Sequence, residues 1–230
     1  GLPRINQITV PALGEIRLML IPPDEVQFQG GAIGFWRDPT TGVFGLEAGL
    51  YSPYGGFLNT FKVGGVAQYF FGDMMTFGAF GGALVPTEQP FFGKSFDTGF
   101  YAGGDVTYYA SETLAVAGFA RFTELGRSSN FGGFNETDRS LNVGGTVRYL
   151  TSMPGVELFA SGSYRKCEDK FNDGNFSGTA TLDGVQFMGG VNIRLGGLTD
   201  SLVAIDRSNA LDTRAWACGG GGGGGRGIQQ

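Results

Sequence analysis

The fold is decided by the stretch Val185-Gln186-Phe187-Met188-Gly189-Gly190-Val191-Asn192-Ile193-Arg194-Leu195. Every second residue, beginning with Val185, is apolar or glycine, and the residues between are mostly polar. Because successive side chains of a strand point to opposite faces, this alternation predicts a strand with one apolar and one polar face. In a water-soluble sheet the apolar face would cover a core. Here the pattern recurs at a fixed length with aromatic ends, which favours lipid as its surroundings.

Composition narrows the class of protein. The chain has 230 residues, of which 43 are Gly and 21 are Phe, and only 16% are charged. The length suits one large β domain or two small ones, and the net charge of -5 argues against a nucleic-acid partner. No apolar run approaches the roughly 18 residues that a transmembrane helix needs, so the sequence excludes a helical membrane protein but not a barrel.

The alternation predicts an all-β fold, a transmembrane antiparallel up-and-down β-barrel of about ten strands, with eight as the alternative. We expect residues 1–13 to form an N-terminal extension, 14–197 the barrel, and 198–230 a partly disordered, Gly-rich periplasmic tail. The predicted strands are Glu15–Ile21, Val26–Trp36, Val43–Tyr51, Phe61–Phe71, Met74–Leu84, Gly99–Tyr109, Leu114–Thr123, Ser140–Leu150, Val156–Arg165 and Val185–Leu195.

The connections between these strands alternate in length. This alternation is typical of outer-membrane barrels, which have tight turns on the periplasmic side and long loops outside. The short connections are Arg37–Gly42, Gly72-Asp73, Ala110–Thr113 and Thr151–Gly155, and the long ones are Ser52–Thr60, Val85–Thr98, Glu124–Arg139 and Lys166–Gly184.

Aromatic residues recur at a constant spacing on the predicted lipid-facing side. In each strand that runs toward a short turn, the outward residues at its two ends are eight positions apart: Phe28 and Trp36, Phe61 and Tyr69, Phe100 and Tyr108, Leu141 and Tyr149, Phe187 and Leu195. Eight steps of about 3.3 Å, tilted by about 40°, span about 20 Å of membrane. We therefore predict membrane-interface aromatics at Phe28, Trp36, Phe61, Tyr69, Phe100, Tyr108, Phe122, Tyr149 and Tyr164.

Ionisable residues within the predicted strands fall on the opposite, inward side. A charge that faces lipid at mid-depth costs about 2–4 kcal/mol, so this sorting is expected of a barrel. The alternative is a soluble β-sandwich or barrel whose charges face solvent. We predict a lumen charge network of Glu47, Lys62, Asp105, Arg121, Arg148, Glu157, Arg165 and Arg194.

Three segments then suggest a family. Gly103–Tyr109, Val63–Asp73 and Gly190–Leu195 resemble strands of small Gram-negative outer-membrane β-barrels, the broad OmpA/OmpX/OmpW-like class. Gly190–Leu195 also resembles the last-strand signal that the barrel-assembly machinery recognises, although the chain continues and Leu195 replaces an aromatic residue. The resemblance covers about residues 14–196 and implies a fold and a location rather than a chemistry.

The sequence argues against an enzyme. Barrels of about this size can be proteases or phospholipases, but those resemblances imply an active-site His, and this chain has none. The inward carboxylates are interleaved with cations, which favours a salt-bridge network filling the lumen. We expect no catalytic residue, no cofactor and no metal site. Cys167 and Cys218 match no metal motif, and two unpaired thiols are favoured over a disulfide, which would need both cysteines on the same side of the membrane.

The expected function is structural. The sequence predicts an integral outer-membrane protein, located there after signal-peptide removal, that presents loops and scaffolds a partner or copies of itself. Its partners would be outer-membrane lipid and lipopolysaccharide, a homo-oligomer or another envelope protein. The alternatives are a small passive channel that prefers anions and a soluble secreted β protein of a surface layer or filament.

Overall fold

The computed structural model describes residues 8–10, 14–17, 28–38, 40–52, 60–86, 94–129, 135–172, 177–193 and 201–208. Within these residues the chain forms twelve strands and one short helix. The strands are β1 (Ile8–Val10), β2 (Gly14–Arg17), β3 (Phe28–Asp38), β4 (Gly42–Ser52), β5 (Thr60–Phe71), β6 (Met75–Pro86), β7 (Lys94–Phe96), β8 (Gly99–Tyr109), β9 (Leu114–Ser129), β10 (Asn135–Leu150), β11 (Val156–Asn172) and β12 (Ser177–Ile193), and the helix is α1 (Leu202–Ser208).

Nine long strands, β3–β6 and β8–β12, form one antiparallel sheet in which each pairs with the next long strand along the chain. Each of the nine overlaps one of the predicted strands. The prediction of an all-β, antiparallel, up-and-down fold is therefore confirmed. In the part of the chain that the structure describes, β12 pairs with β11 alone, so the sheet is open at β12 and the predicted closure is not seen.

Three short strands border the sheet. β1 and β2 form a hairpin, and β2 pairs with the start of β3 through Ile16 opposite Gly30 and Arg17 opposite Gln29. β7 pairs with the far end of β9. The predicted strand Glu15–Ile21 overlaps β2 alone. β7 was not predicted, nor was β1, which lies in the segment 1–13 that was expected to be an N-terminal extension.

The four short connections all lie at one end of the sheet, which we call the short-turn end. Two of them depend on glycine, because Gly72 after β5 has φ +50° and Gly155 before β11 has φ +75°. An L side chain is disfavoured in this left-handed region, so these glycines allow the tight reversals.

The two faces of the sheet differ in exposure. Directly paired residues share a face, so Glu47, Gly64, Gly82 and Tyr101 lie on one side across four strands. We call this side the buried face and the opposite side, which carries Phe61 and its partners, the exposed face. Along β5 the side chains alternate between buried and exposed positions accordingly.

The core lies on the buried face, where the sheet curves over its own side chains. Val66, Phe70, Phe80 and Leu84 are buried there without a second sheet among the described residues. The hydroxyl of Tyr101 in β8 donates a hydrogen bond to Glu47 in β4, three strands away. A flat sheet would hold these strands about 14 Å apart, so the contact indicates curvature.

Strands β9–β12 are longer than predicted. They contain 16 or 17 residues, whereas β3–β6 and β8 contain 11 or 12. The additional residues extend both hairpins away from the short-turn end, through segments that the sequence placed in the loops 124–139 and 166–184. Those loop assignments were wrong, because the polar residues on both faces of these segments hide the alternation.

No helix in the described part of the chain is long and apolar enough to cross a membrane. The one helix, α1, lies within the segment 198–230 for which a partly disordered tail was predicted. Residues 209–230, including the glycine run, lie outside the described residues, as does Arg194.

Candidate functional site

A buried ion pair occupies the buried face between β4 and β5. The ammonium of Lys62 lies 2.9 Å from Oε2 of Glu47, and these side chains are only 3% and 5% exposed. Tyr101 donates a hydrogen bond to the other oxygen of Glu47, and Lys62 lies 4.5 Å from the centroid of its ring. The carboxylate is thus compensated on both oxygens, which is what allows a charge to be buried.

Two glycines make room for Tyr101. A Cβ atom added to Gly64 or to Gly82 would collide with the Tyr101 hydroxyl and with the backbone of the neighbouring strand. The absence of side chains at these two positions therefore lets a tyrosine from β8 reach the Glu47–Lys62 pair. We call Glu47, Lys62 and Tyr101 the upper cluster.

A second cluster lies at the short-turn end and joins the sheet to α1. The guanidinium of Arg148 binds the carboxylate of Asp206 through both terminal nitrogens, with Nη1 2.7 Å from Oδ1. Tyr109 donates a hydrogen bond of 2.9 Å to Oδ2 of Asp206. Glu157 lies 4.0 Å from Arg148 and accepts a 2.9 Å hydrogen bond from Asn192. We call these five residues the lower cluster.

Apolar contacts hold α1 against the sheet. Leu202, Val203 and Ile205 are buried in one cluster with Tyr109, Ala115 and Leu150. Full burial of a Leu or Ile side chain contributes about 1.5–3 kcal/mol, so these contacts compensate for the low intrinsic stability of a helix of seven residues.

Polar contacts fix α1 at its two ends. The amide of Leu202 donates a 2.8 Å hydrogen bond to the carbonyl of Glu112. Arg207 binds the carbonyl of Gly72 and lies 3.1 Å from the carboxylate of Asp73. Beside the helix is a cleft of about 680 Å³, lined by Arg37, Asp73, Tyr109, Ser111, Glu112, Ser201, Val203, Ala204 and Arg207.

Seven of the eight residues of the predicted charge network lie on the buried face, and four of them form two ion pairs. Glu47 pairs with Lys62, and Arg148 lies near Glu157, as described above. Asp105, Arg121 and Arg165 lie on the same face between the two clusters and are half-buried. Arg121 also stacks over Phe119, 4.7 Å from the ring centroid.

The sequence missed several members of the two clusters. Tyr101 and Tyr109 occupy positions of their strand whose side chains alternate to the inward face. This position in the alternation was the available signal for both. The signal for Asp206 was weaker. It consists of the apolar spacing of Leu202, Val203 and Ile205, which is too short to identify a helix with confidence.

The predicted interface aromatics lie on the exposed face. Trp36, Tyr69, Tyr108 and Tyr149 are half-exposed toward the short-turn end, and Phe61 and Phe100 are half-exposed toward the other end. Phe122, which packs against Phe100 at a centroid distance of 5.4 Å, and Tyr164 are partly exposed. Phe28 begins β3, but its side chain lies outside the described part of the structure. We call the apolar surface between the two aromatic rows the belt.

Charged residues return to the exposed face beyond the belt. Arg139 lies 2.6 Å from Glu124, and Lys166 lies 2.6 Å from Glu168. The hydrogen bond from Lys166 holds the pKa of the Glu168 carboxyl below its usual range. The extended ends of β9–β12 are therefore polar on the side where the belt is apolar.

One group of carboxylates has the donor set of a divalent-cation site. Ligand oxygens of Glu136, Asp138 and Asp169 lie within 4.8 Å of one another. Hard cations such as Ca²⁺ prefer such oxygen ligands, but exposed acidic groups converge in many proteins without an ion. The three carboxylates are therefore the residues that could hold a metal in the described part of the chain.

Cys167 faces inward on β11, is buried and is disulfide-bonded. The favoured state of two unpaired thiols was therefore wrong. The sequence holds one further cysteine, Cys218, which lies outside the described residues.

Comparisons with models of known protein families, with curated proteins and with solved structures gave no match.

Proposed function

We propose that this chain is an integral β-barrel of a Gram-negative outer membrane with a structural role, which presents its long connections at the cell surface. In this role it scaffolds a partner protein or further copies of itself, in contact with lipid and lipopolysaccharide. The proposal follows from the exposed face, from the strand arrangement and from the class that the strand motifs resemble.

The observation that carries the proposal is the belt. All nine long strands expose large apolar side chains on the same face, among them Leu46, Phe77, Leu158 and Phe187. Soluble monomers rarely expose a contiguous apolar patch larger than a few hundred Å². Between the aromatic rows, β5 carries Val63, Gly65 and Ala67, without a polar side chain, so hydrocarbon is the solvent that suits this face.

The number of long strands supports a tenth strand if the sheet closes into a barrel. Nine antiparallel strands leave β3 and β12 running in the same direction, and antiparallel closure needs an even number. β2 pairs with β3 in the direction that a tenth strand requires. Continuing its register along β3 sets Val10 opposite Trp36 and Ile8 opposite Asp38, so the β1 and β2 residues together would cover the length of β3.

The alternation of these N-terminal residues agrees with a tenth strand. In that register Ile8, Val10 and Ile16 share the phase of the exposed face, whereas Glu15 and Arg17 share that of the buried face. We therefore propose that the strand formed by residues 8–17 pairs with β12 and closes a ten-stranded barrel.

The membrane proposal is tested by placing charge on the belt. Gly65→Arg and Val106→Arg would each put a guanidinium in hydrocarbon, at a cost of about 2–4 kcal/mol, so we expect both variants to fail to insert. The measurement is heat-modifiable migration in gel electrophoresis after refolding into lipid vesicles. Asp183→Arg, on the same face beyond the belt, is the matched control and should insert normally.

Two results would contradict the membrane proposal. Normal assembly of both belt variants, or a wild-type protein that stays monomeric in water without detergent, would contradict a lipid-covered face. The second of these results would instead favour the soluble secreted assembly.

One observation favours the channel as a second candidate. On the buried faces of β10 and β11, Thr146, Ser161 and Ser163 are partly exposed, in contrast to the filled side around Leu84 and Tyr101. Steady anion-selective current steps from the wild-type protein in planar bilayers would place the channel ahead of the scaffold.

A further inference from the structure

We propose that residues 209–217 run extended along the buried face of β9–β11, from α1 to a disulfide that joins Cys218 to Cys167. The C-terminal segment of the chain is then the occupant of the concave side of the sheet. This inference goes beyond the proposed function, because it concerns the interior and holds whether lipid or protein covers the belt.

Two rows of directly paired residues mark the levels of the buried face that the segment would connect. The upper row, which is buried throughout, consists of Tyr101, Thr123, Ser140 and Cys167. The lower row consists of Tyr109, Ala115, Arg148 and Phe159. From Phe159 to Cys167 is eight residues along β11, which is about 26 Å.

The segment begins on the buried face, at the lower row. Asp206 of α1 binds Arg148 through both terminal guanidinium nitrogens, and Ile205 is buried in one cluster with Ala115. Ser208, two positions after Asp206, is the last residue of the helix. The chain therefore leaves α1 close to the lower row and on the same side of the sheet.

The segment ends at the upper row. Cys167 is buried, faces inward and is disulfide-bonded, and the one other cysteine in the sequence is Cys218. A disulfide holds its two Cα atoms about 5.5–6 Å apart. Pairing of these cysteines therefore places residue 218 on the buried face, at the level of the upper row.

The distance between the rows decides the conformation of the segment. Ten residues lead from Ser208 to Cys218, and they span about 33 Å as a strand but only about 15 Å as a helix. An extended segment alone covers the distance. A route over the far end of the sheet is too long, because β11 continues for five residues beyond Cys167, to Asn172, and these add about 17 Å in each direction.

The surface between the rows suits such a segment. The rings of Phe119 and Phe159 lie directly on neighbouring strands, because a Cβ atom added to Gly144 or Gly190 would lie 2.7 or 2.9 Å from them. The other inward side chains of β10 and β11 include short hydroxyl groups, such as that of Ser161. A floor of flat rings and short side chains accepts a segment in which three of the nine residues are alanine.

Charges on the segment complement those on the sheet. Between the two rows, the ionisable residues on the buried face of β8–β11 are Asp105, Arg121 and Arg165. The segment carries Asp212 and Arg214, so it brings an anion to the arginines and a cation to Asp105. Charges that are covered in this way are compensated, as burial requires.

The length argument is tested with two deletions in the full chain, folded under oxidising conditions. Removing residues 209–213 leaves Cys218 five residues after Ser208, a reach of about 17 Å, so we expect the disulfide to be lost while Arg207 stays protected from trypsin. Removing residues 220–224, an equal number beyond Cys218, should leave it intact. Mass spectrometry of tryptic fragments measures the yield of residues 167–170 linked to residues 215–226.

A cysteine pair locates the segment itself, and it decides the matter if the 209–213 deletion does not fold. In a background with Cys167 and Cys218 replaced by Ser, Ser163→Cys with Arg214→Cys should form a disulfide, because both positions lie four residues before the native pair in parallel segments. The control, Tyr164→Cys with Arg214→Cys, should not, because position 164 faces the opposite side of β11.

Three results would overturn the proposal. One is a full disulfide yield in the 209–213 deletion with Arg207 still protected, and another is equal yields for the cysteine pairs at 163 and 164. The third is a wild-type Cys167 that is reduced, or that is linked to a second copy, which mixed isotope-labelled pairs would reveal. Failure of the membrane proposal is distinguishable, because it appears as absent heat-modifiable insertion and these yields are measured without lipid.

Discussion

At the scale of single residues, the upper cluster shows how a charged pair is kept inside the sheet. Glu47 accepts hydrogen bonds from Lys62 and from Tyr101, and all three side chains are nearly inaccessible to solvent. Removing one partner of a buried charge leaves a desolvated group incompletely compensated, which costs more than the hydrogen bond contributes when intact.

The tyrosine hydroxyl gives a direct prediction. Tyr101→Phe should lower the free energy of unfolding by about 1–2 kcal/mol, because Oε1 of Glu47 loses its donor while remaining buried. The measurement is reversible urea unfolding from lipid vesicles, followed by tryptophan fluorescence.

Tyr108→Phe is the control for the same chemical change. This tyrosine is half-exposed on the opposite face of the same strand, and its substitution should change the free energy of unfolding by less than about 0.5 kcal/mol. Equal decreases in the free energy of unfolding of the two variants would show that the hydrogen bond to Glu47 contributes no more to stability than the exposed Tyr108 hydroxyl.

At the scale of elements, alternation predicted the nine long strands because one apolar and one polar face repeat through each. It failed where that contrast disappears. Beyond Phe122 on β9 the next residue on the exposed face is Glu124, so the sequence pattern predicts a loop where the strand in fact continues. It failed again at α1, because seven residues contain only two helical turns of pattern.

The candidate site was predictable in part for the same reason. The alternation of inward and outward positions was enough to identify Glu47, Lys62, Arg148 and Glu157, because charge is excluded from the belt. The alternation does not give the distances between side chains of different strands in a curved sheet, however. The contact between Tyr101 and Glu47 joins strands that are not neighbours, and it depends on the curvature.

The proposed tenth strand gives a prediction at this scale. In a background with Cys167 and Cys218 replaced by Ser, Val10→Cys with Trp36→Cys should form a disulfide after insertion into vesicles, because the continued register sets these residues opposite each other. The alternative pair, Val10→Cys with Gly14→Cys, reports the β1–β2 hairpin, in which these two residues are partners. The two yields are compared by mass spectrometry of proteolytic fragments.

The comparison separates the two arrangements of the N-terminal residues. A high yield for the pair at 10 and 36 with a low yield at 10 and 14 supports closure by residues 8–17. The reverse pattern in the inserted protein would show that the hairpin persists and that these residues do not form the tenth strand.

At the scale of the whole molecule, the two ends of the sheet are different surfaces. The short-turn end carries α1 and turns fixed by Gly72 and Gly155. The other end carries the extensions of β9–β12, which add about five residues, or about 17 Å, beyond the belt. The extensions form a polar projection that β7 borders along β9. We expect a partner to bind this surface.

This asymmetry predicts an orientation in the cell. An epitope inserted between Asn172 and Ser177, in the β11–β12 connection, should be bound by antibody on intact cells if the proposed barrel forms, because the long connections of outer-membrane barrels face outward. The same epitope inserted after Glu112, at the short-turn end, should be bound only after the cells are permeabilised. Labelling of the second site on intact cells would reverse the proposed orientation.

The order of pairing in the sheet has a consequence for biogenesis. Every long strand pairs with the long strand before it, so each can be added as soon as it is delivered, and little loop entropy is lost at each step. The contact of Arg207 with Gly72 is different, since it spans 135 positions and needs β5, β8 and β10 already in place. A chain halted before Leu202 would thus hold every strand pairing seen here but lack α1 and its contacts with the sheet. A pulse-chase time course should therefore show a strand-complete, protease-sensitive precursor that matures late.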